Sequence, residues 1–225
     1  EEAAEQAAPG HVYQVIAKEM NPAGGDYRSY SGDLSHIFSP WKLGGLDLPN
    51  RIVKSAAGSD YEDGGWDKFV EYYRRLAAGG TAMIWVENFA HLFLPYHNPI
   101  STNLDEIVDE DIITLTNAIH AEGAKCGAQV DTMASGWFSE VAGRGGYNVG
   151  LMTAEEVQYM IKCYVDGAVK LKEWGFDALE LNCAGDNMTQ WFMNPSRNSR
   201  EDEYGAQTFD NRVRFIGEII DQVKV

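Results

Sequence analysis

The sequence predicts an α/β protein made of repeated β-α units, the fold class of the TIM-type (β/α)8 barrel, with about four of the eight units present. Three observations predict it. From Ile37 onward short apolar runs alternate with stretches of helical periodicity, the pattern of a parallel sheet whose strands are joined by helices. Ala82-Met-Ile-Trp-Val86 is apolar throughout, as a strand covered on both faces must be. Glycines stand where the helical stretches should stop, at Gly79-Gly80, Gly123 and Gly175.

Taken in order, residues 1–34 open with Ala and Glu and continue through Pro22, Gly24, Gly25 and Gly32. That composition suits an extension or linker. Residues 35–225 carry the barrel units. The first pairs a strand at Arg51-Ile-Val-Lys-Ser55 with a helix over about Asp67 to Ala78, whose Phe69, Tyr72, Tyr73 and Leu76 share a face. The second pairs the 82–86 strand with a helix over about Glu110 to Ala121. The third strand, Cys126-Gly-Ala-Gln-Val130, leads through a long loop to a helix near Thr153, where Thr153 and Glu156 have capping-box spacing. Val157, Met160, Ile161, Tyr164, Ala168 and Leu171 continue it as one apolar stripe. The fourth strand is Ala178-Leu-Glu-Leu-Asn182, followed by a long polar loop and a helix from about Asp210 with Val213, Ile216, Ile220 and Val223 inward.

A closed barrel needs eight units and about 250 residues; this chain has 225 residues. Its fourth strand would leave an unpaired edge. The missing barrel half is therefore expected either in cis, beyond this stretch, or in trans from a second chain.

Composition bounds the partners. The chain is 44% hydrophobic and carries a formal net charge of -16, enough apolar content for a real core. The charge argues against nucleic acid or an anionic membrane surface as partner, both of which it repels. A small-molecule substrate and a homo-oligomer remain open. Cys126, Cys163 and Cys183 form neither a metal-binding pair nor an even disulfide set, which fits a cytoplasmic protein. The sequence begins at Glu1 rather than at a methionine, so export stays open too.

In a parallel barrel the chemistry sits at the carboxyl ends of the strands, here at Ser55, Glu87, Gln129 and Asn182. Ser55, Ala56, Ala57 and Gly58 are a run of small residues that would let a flat ring approach the backbone, or simply a tight turn. Gln129 interrupts an apolar strand, where an amide left unpartnered costs about 1–3 kcal/mol. Either a ligand or neighbouring backbone supplies its partner. Glu87 and Glu180 have the makings of a glycosidase pair, but structural ion pairs explain rim carboxylates better. Gly143-Arg-Gly-Gly146 lacks the spacing of a phosphate loop. None of the five histidines has metal-ligand spacing on a helix, and no metal is expected.

Specific words in the sequence go further. Phe38-Ser-Pro-Trp-Lys-Leu-Gly-Gly-Leu-Asp-Leu-Pro-Asn-Arg-Ile-Val53 resembles the entry segment of the old yellow enzymes, a family of NADH:flavin oxidoreductases. Asn194-Pro-Ser-Arg-Asn-Ser-Arg-Glu-Asp-Glu-Tyr-Gly205, with Asp210-Asn-Arg-Val-Arg-Phe215 after it, looks like that family's loop beyond the fourth strand. Gly123-Ala-Lys-Cys-Gly-Ala-Gln129 is similar to its third strand. The matches fall in family order over about residues 35 to 225, the N-terminal half of the barrel.

The resemblance implies FMN across the barrel mouth, NAD(P)H as electron donor, and hydride passing through flavin N5 to an electron-poor small molecule, an α,β-unsaturated one in ordinary ene reduction. By position it places Ser55, Ala56, Ala57 and Gly58 beside the flavin, Asn88 at the second strand's cofactor-facing end, and Gln129 on the pyrimidine edge. Asn182 takes the place of the first residue of the family's substrate-binding pair. The departures are specific. Gly185 stands at the second member of that pair, Asn187 at the usual proton-donating tyrosine, and Gly58 where a threonine or cysteine often tunes the flavin. An amide is no acid at neutral pH, so Asn182, with Asp186 or Asn187, is expected to orient substrate, and the proton to come from Asp186, another loop residue, water or a group of the absent half. Two further readings are a multidomain flavoenzyme of the dienoyl-CoA reductase or amine dehydrogenase type, with an iron-sulfur cluster and FAD in additional domains, and a noncatalytic half-barrel assembly subunit.

Overall fold

The computed structural model describes residues 33–59, 65–86, 109–130, 149–185 and 187–224. The chain divides into two compact units, Glu1–Ile52 and Val53–Val225. In the first unit a short antiparallel hairpin joins β1 (Trp41–Leu43) to β2 (Leu46–Leu48), with Trp41 opposite Leu48. Around it, Arg51 Nε donates to Ser39 Oγ at 3.2 Å and the guanidinium lies 5.8 Å from the Trp41 ring centre. Asn50 Oδ1 accepts from the Ile52 N–H at 2.9 Å. The entry segment is thus a self-tied hairpin and turn, two strands more than the sequence pattern predicted.

The second unit is built on four parallel strands, β3 (Val53–Lys54), β4 (Met83–Val86), β5 (Lys125–Val130) and β6 (Ala178–Leu181), in spatial order β3-β4-β5-β6. Sequential order is what repeated β-α units produce. The helices are α1 (Trp66–Ala78), α2 (Asp109–Ala121), α3 (Ala154–Glu173), α4 (Met188–Met193) and α5 (Phe209–Val223). Alternation along each strand decides which face they cover. Ile84, Val86, Cys126, Ala128 and Val130 join the apolar core together with Tyr73, Ile112, Leu115, Ile119, Met160 and Ile161 of the helices. The opposite face carries Met83, Trp85, Gly127, Gln129, Ala178 and Glu180.

The helix ends follow the sequence closely. Thr153 caps α3: its hydroxyl accepts from the Glu156 N–H at 3.2 Å while Glu156 accepts from the Thr153 N–H at 2.7 Å, worth about 1 kcal/mol. Gly123 and Gly175, both at positive φ, follow α2 and α3. The inward face of α5 differs in part from expectation: Ile216 and Val223 pack against the core as expected, but Phe215 and Ile219 are its buried residues, and Ile220 is 37% exposed. Phe215 stacks on Phe192 with ring centres 4.2 Å apart and meets Tyr164 edge-on. Packing this large aromatic turns the helix so that Ile220 points away. The short helix α4 replaces part of the predicted polar loop, and its Met188, Trp191 and Phe192 are buried.

Candidate active site

At the carboxyl end of β3, Ser55, Ala57 and Gly58 are exposed and Ala56 is half-buried, leaving an accessible strip of small side chains. Asn88, Glu87, His91, His97 and the 143–146 loop lie outside the described residues. At the ends of β5 and β6 the polar side chains form a chain of hydrogen bonds. Gln129 and Glu180 are register partners across the two strands, so both project from the same face. Gln129 Nε2 donates to Glu180 Oε1 at 2.5 Å, and Asn182 Nδ2 donates to Gln129 Oε1 at 3.4 Å. Asn182 Oδ1 in turn accepts from the Ala184 N–H at 3.0 Å. The partner of Gln129 is thus a carboxylate, and Glu180, expected in an ion pair, is engaged by an amide. The parallel register is the signal that could have paired them.

Below this chain Gly127 makes room for Trp85. A Cβ on Gly127 would lie 2.2 Å from the Trp85 ring and 2.8 Å from the Met83 methyl, closer than atoms can pack. The glycine in the third strand is therefore dictated by the neighbouring indole.

The loop after β6 folds back on itself. Thr189 Oγ1 donates to the Asn182 carbonyl at 2.5 Å, and Asn187 Nδ2 donates to the Ala184 carbonyl at 2.7 Å. Asn187 is only 5% exposed, and its Oδ1 is a buried acceptor with no hydrogen-bond partner among the described residues. Asp186, beside it, lies outside them. The structure thus brings Gln129 and Asn182 together and draws Asn187 into the loop's interior.

The long motif beyond α4 is a brace. Asn198 Nδ2 donates to the carbonyls of Phe192 and Tyr204, both at 2.8 Å. Arg200, 8% exposed, donates through Nη1 to the carbonyls of Val149 (3.0 Å) and Met152 (2.5 Å), and pairs with Asp202. Tyr204 donates to Glu218 Oε2 at 2.8 Å, tying the loop to α5. Burial, then the Glu218 carboxylate, pushes the Tyr204 phenol up to about 12. It stays protonated and serves as a strut.

A second polar cluster lies at the amino ends of β5 and β6. Asp177 Oδ2 is 2.7 Å from His120 Nε2 and accepts from the Cys126 N–H at 2.9 Å, while its Oδ1 accepts from Lys125 at 3.0 Å. The ligand atoms of His120, Cys126 and Asp177 lie within 4.8 Å of one another, a spacing that could hold a metal ion. In the metal-free protein Asp177 already accepts from three donors, and burial, reinforced by Asp177, pushes the Cys126 thiol up to about 12. The same His120 nitrogen faces both the carboxylate and Cys126 Sγ at 3.4 Å, which is not the relay of a Cys-His-Asp nucleophile, where each ring nitrogen has its own partner. The cluster reads as a lock between strands.

A family model described as the NADH:flavin oxidoreductase / NADH oxidase family matches residues 36–225. The chain belongs to this family. An NADPH dehydrogenase of Geobacillus sp. (strain WCH70) is 33% identical over 84% of the chain and 59% of its own length. An NADH oxidase of Thermoanaerobacter brockii is 30% identical over 84% of the chain and 32% of its own length. The chain thus spans a little over half of the first of these relatives and about a third of the second. Old Yellow Enzyme from Pichia sp. AKU4542 superposes with a TM-score of 0.64 at 23% identity over 84% of the chain and 56% of that structure. This likeness establishes the fold of the flavin oxidoreductase chain: part of a (β/α)8 barrel. Among the described residues, no helix is long and apolar enough to cross a membrane.

Proposed function

We propose that the whole protein is an FMN-dependent oxidoreductase that takes reducing equivalents from NAD(P)H and delivers them to an electron-poor small molecule. The observation that carries this reading is the amide pair Gln129 and Asn182 at the carboxyl ends of adjacent strands, in a chain of the flavin oxidoreductase family. The residues suit FMN. The exposed strip at Ser55, Ala57 and Gly58 lets a flat ring lie against backbone. The Gln129 amide keeps one N–H and one carbonyl lone pair beyond its two bonds to described residues, which matches a heterocycle edge that alternates donors and acceptors. Asn88 is a further candidate contact. When bound, FMN would supply the hydride chemistry; the protein supplies orientation and electrostatics.

In this reading Asn182 orients the substrate's polar oxygen, aided by Asp186 of the same loop, whereas Asn187, expected from the sequence to share that task, is buried within the loop and supports it from inside; none of the amides acts as an acid. The proton comes from Asp186, from water or from residues beyond this chain. Residues 1–34 are an extension ahead of the barrel, in keeping with a family match that begins at residue 36. The barrel is completed by strands beyond this chain, in cis or from a second chain; Val53, on the strand face opposite the helices, is 39% exposed. Three unpaired cysteines fit a reducing cytoplasm.

A multidomain version, with an iron-sulfur cluster and FAD in added domains, is favoured by one observation: the Thermoanaerobacter brockii relative is about three times as long as the matched region. The test is anaerobic mixing of the full-length protein with NADPH or NADH, followed by a series of electron-poor acceptors. Bleaching of the flavin by a nicotinamide and its return with an acceptor is the expected result. A flavin that neither nucleotide reduces would overturn the proposal.

A further inference from the structure

The polarity of the Gln129–Asn182 amide pair is fixed from outside, at both ends, by groups that cannot reverse. An ionised carboxylate only accepts hydrogen bonds and a backbone N–H only donates. Glu180 therefore compels Gln129 to present Nε2 to it at 2.5 Å, and the Ala184 N–H compels Asn182 to present Oδ1 at 3.0 Å. The two remaining amide ends, Asn182 Nδ2 and Gln129 Oε1, then face each other with matching sense at 3.4 Å. Donation runs one way, from the loop through Asn182 and Gln129 to Glu180.

We propose that Glu180 is a positioning residue for this site: its carboxylate selects which end of the Gln129 amide is anchored in the sheet and hence which sense of hydrogen bonding Gln129 offers a ligand. This rests on the flavin reading above. Without Glu180 only the 3.4 Å contact from Asn182 Nδ2 holds the Gln129 amide in this sense, and because the amide nitrogen and oxygen are nearly the same size, shape does not oppose rotation by half a turn. A flipped amide would set Nε2 against Asn182 Nδ2, donor against donor, and would offer the pyrimidine edge the wrong complement. Glu180 is half-buried and lies one pleat below the strand end, placed to act through Gln129.

The test combines two readouts on the full-length protein. In the flavin-stripped protein, the side-chain amide protons of Gln129, followed by nitrogen-15 NMR, are expected to be strongly separated because one donates to a carboxylate. Glu180→Met should collapse that separation, and Glu180→Gln, which keeps an acceptor, should restore part of it. In FMN titrations, Gln129→Met and Glu180→Met should each weaken binding roughly tenfold, and the double variant should be no weaker than either alone. Additive losses, or a Gln129 signal indifferent to Glu180, would overturn the inference. Unchanged FMN binding in Gln129→Met would instead overturn the flavin reading beneath it, while the NMR result reports on the amide polarity by itself.

Discussion

A polar side chain in an apolar strand has to answer for its hydrogen bonds, and Gln129 does so through Glu180 and Asn182. Its need for a partner was legible in the sequence because the residues around it are apolar. Its partner was not, since pairing needs the register of two strands that are about fifty residues apart in the chain. Asn182→Ala is expected to lower turnover at least tenfold while FMN retention stays within about threefold, because only one hydrogen bond of the pair is lost; steady-state kinetics and flavin titration check this. Gly127→Ala should cost about 1–3 kcal/mol in urea unfolding, since the methyl meets the Trp85 ring at 2.2 Å and the indole must leave its place. The sequence marked Gly127 as a glycine within a strand, but only the structure identifies the indole as its reason.

At the scale of elements, periodicity located every helix that packs by a regular stripe. The start of α3 was the clearest case: Thr153 and Glu156 make both capping bonds, and Thr153→Ala should lower stability by about 1 kcal/mol. Periodicity failed where tertiary contacts decided. The α4 segment is six residues long, too short for a stripe, and α5 is turned by the Phe215–Phe192 stack. The motif between them was recognised by resemblance without its role being visible. Arg200 holds the turn at Val149–Leu151 and the Met152 carbonyl from a buried position, so Arg200→Ala should cost about 2–3 kcal/mol, chiefly by leaving those two carbonyls without their donor. Calorimetry on the pair of variants would rank them: a cap loss smaller than the brace loss.

For the whole molecule, acid should be the sensitive direction. Asp177 is held below its usual value of 3.8: burial alone would raise it, but the Cys126 N–H, His120 and Lys125 together outweigh burial. Hydrogen bonds from Arg200 hold Asp202 below 3.8 as well. A carboxylate depressed in the fold stabilises it fully above the unfolded value and loses that contribution as pH falls through the folded value. Unfolding free energy should therefore fall below about pH 4, and Asp177→Asn should flatten that acid limb while lowering stability at neutral pH by about 1–2 kcal/mol. The β-α repeat, and hence the barrel class, was readable from alternation of apolar runs and glycine stops; the strand-locking role of Asp177 was not, because it joins residues separated by whole units. The most direct test of the flavin assignment is the visible absorption spectrum of the natively purified full-length protein, with identification of any flavin released on denaturation. Stoichiometric, noncovalent FMN, bound about tenfold more weakly in Gln129→Leu, is the predicted result; a flavin-free protein that takes up no added FMN would contradict it.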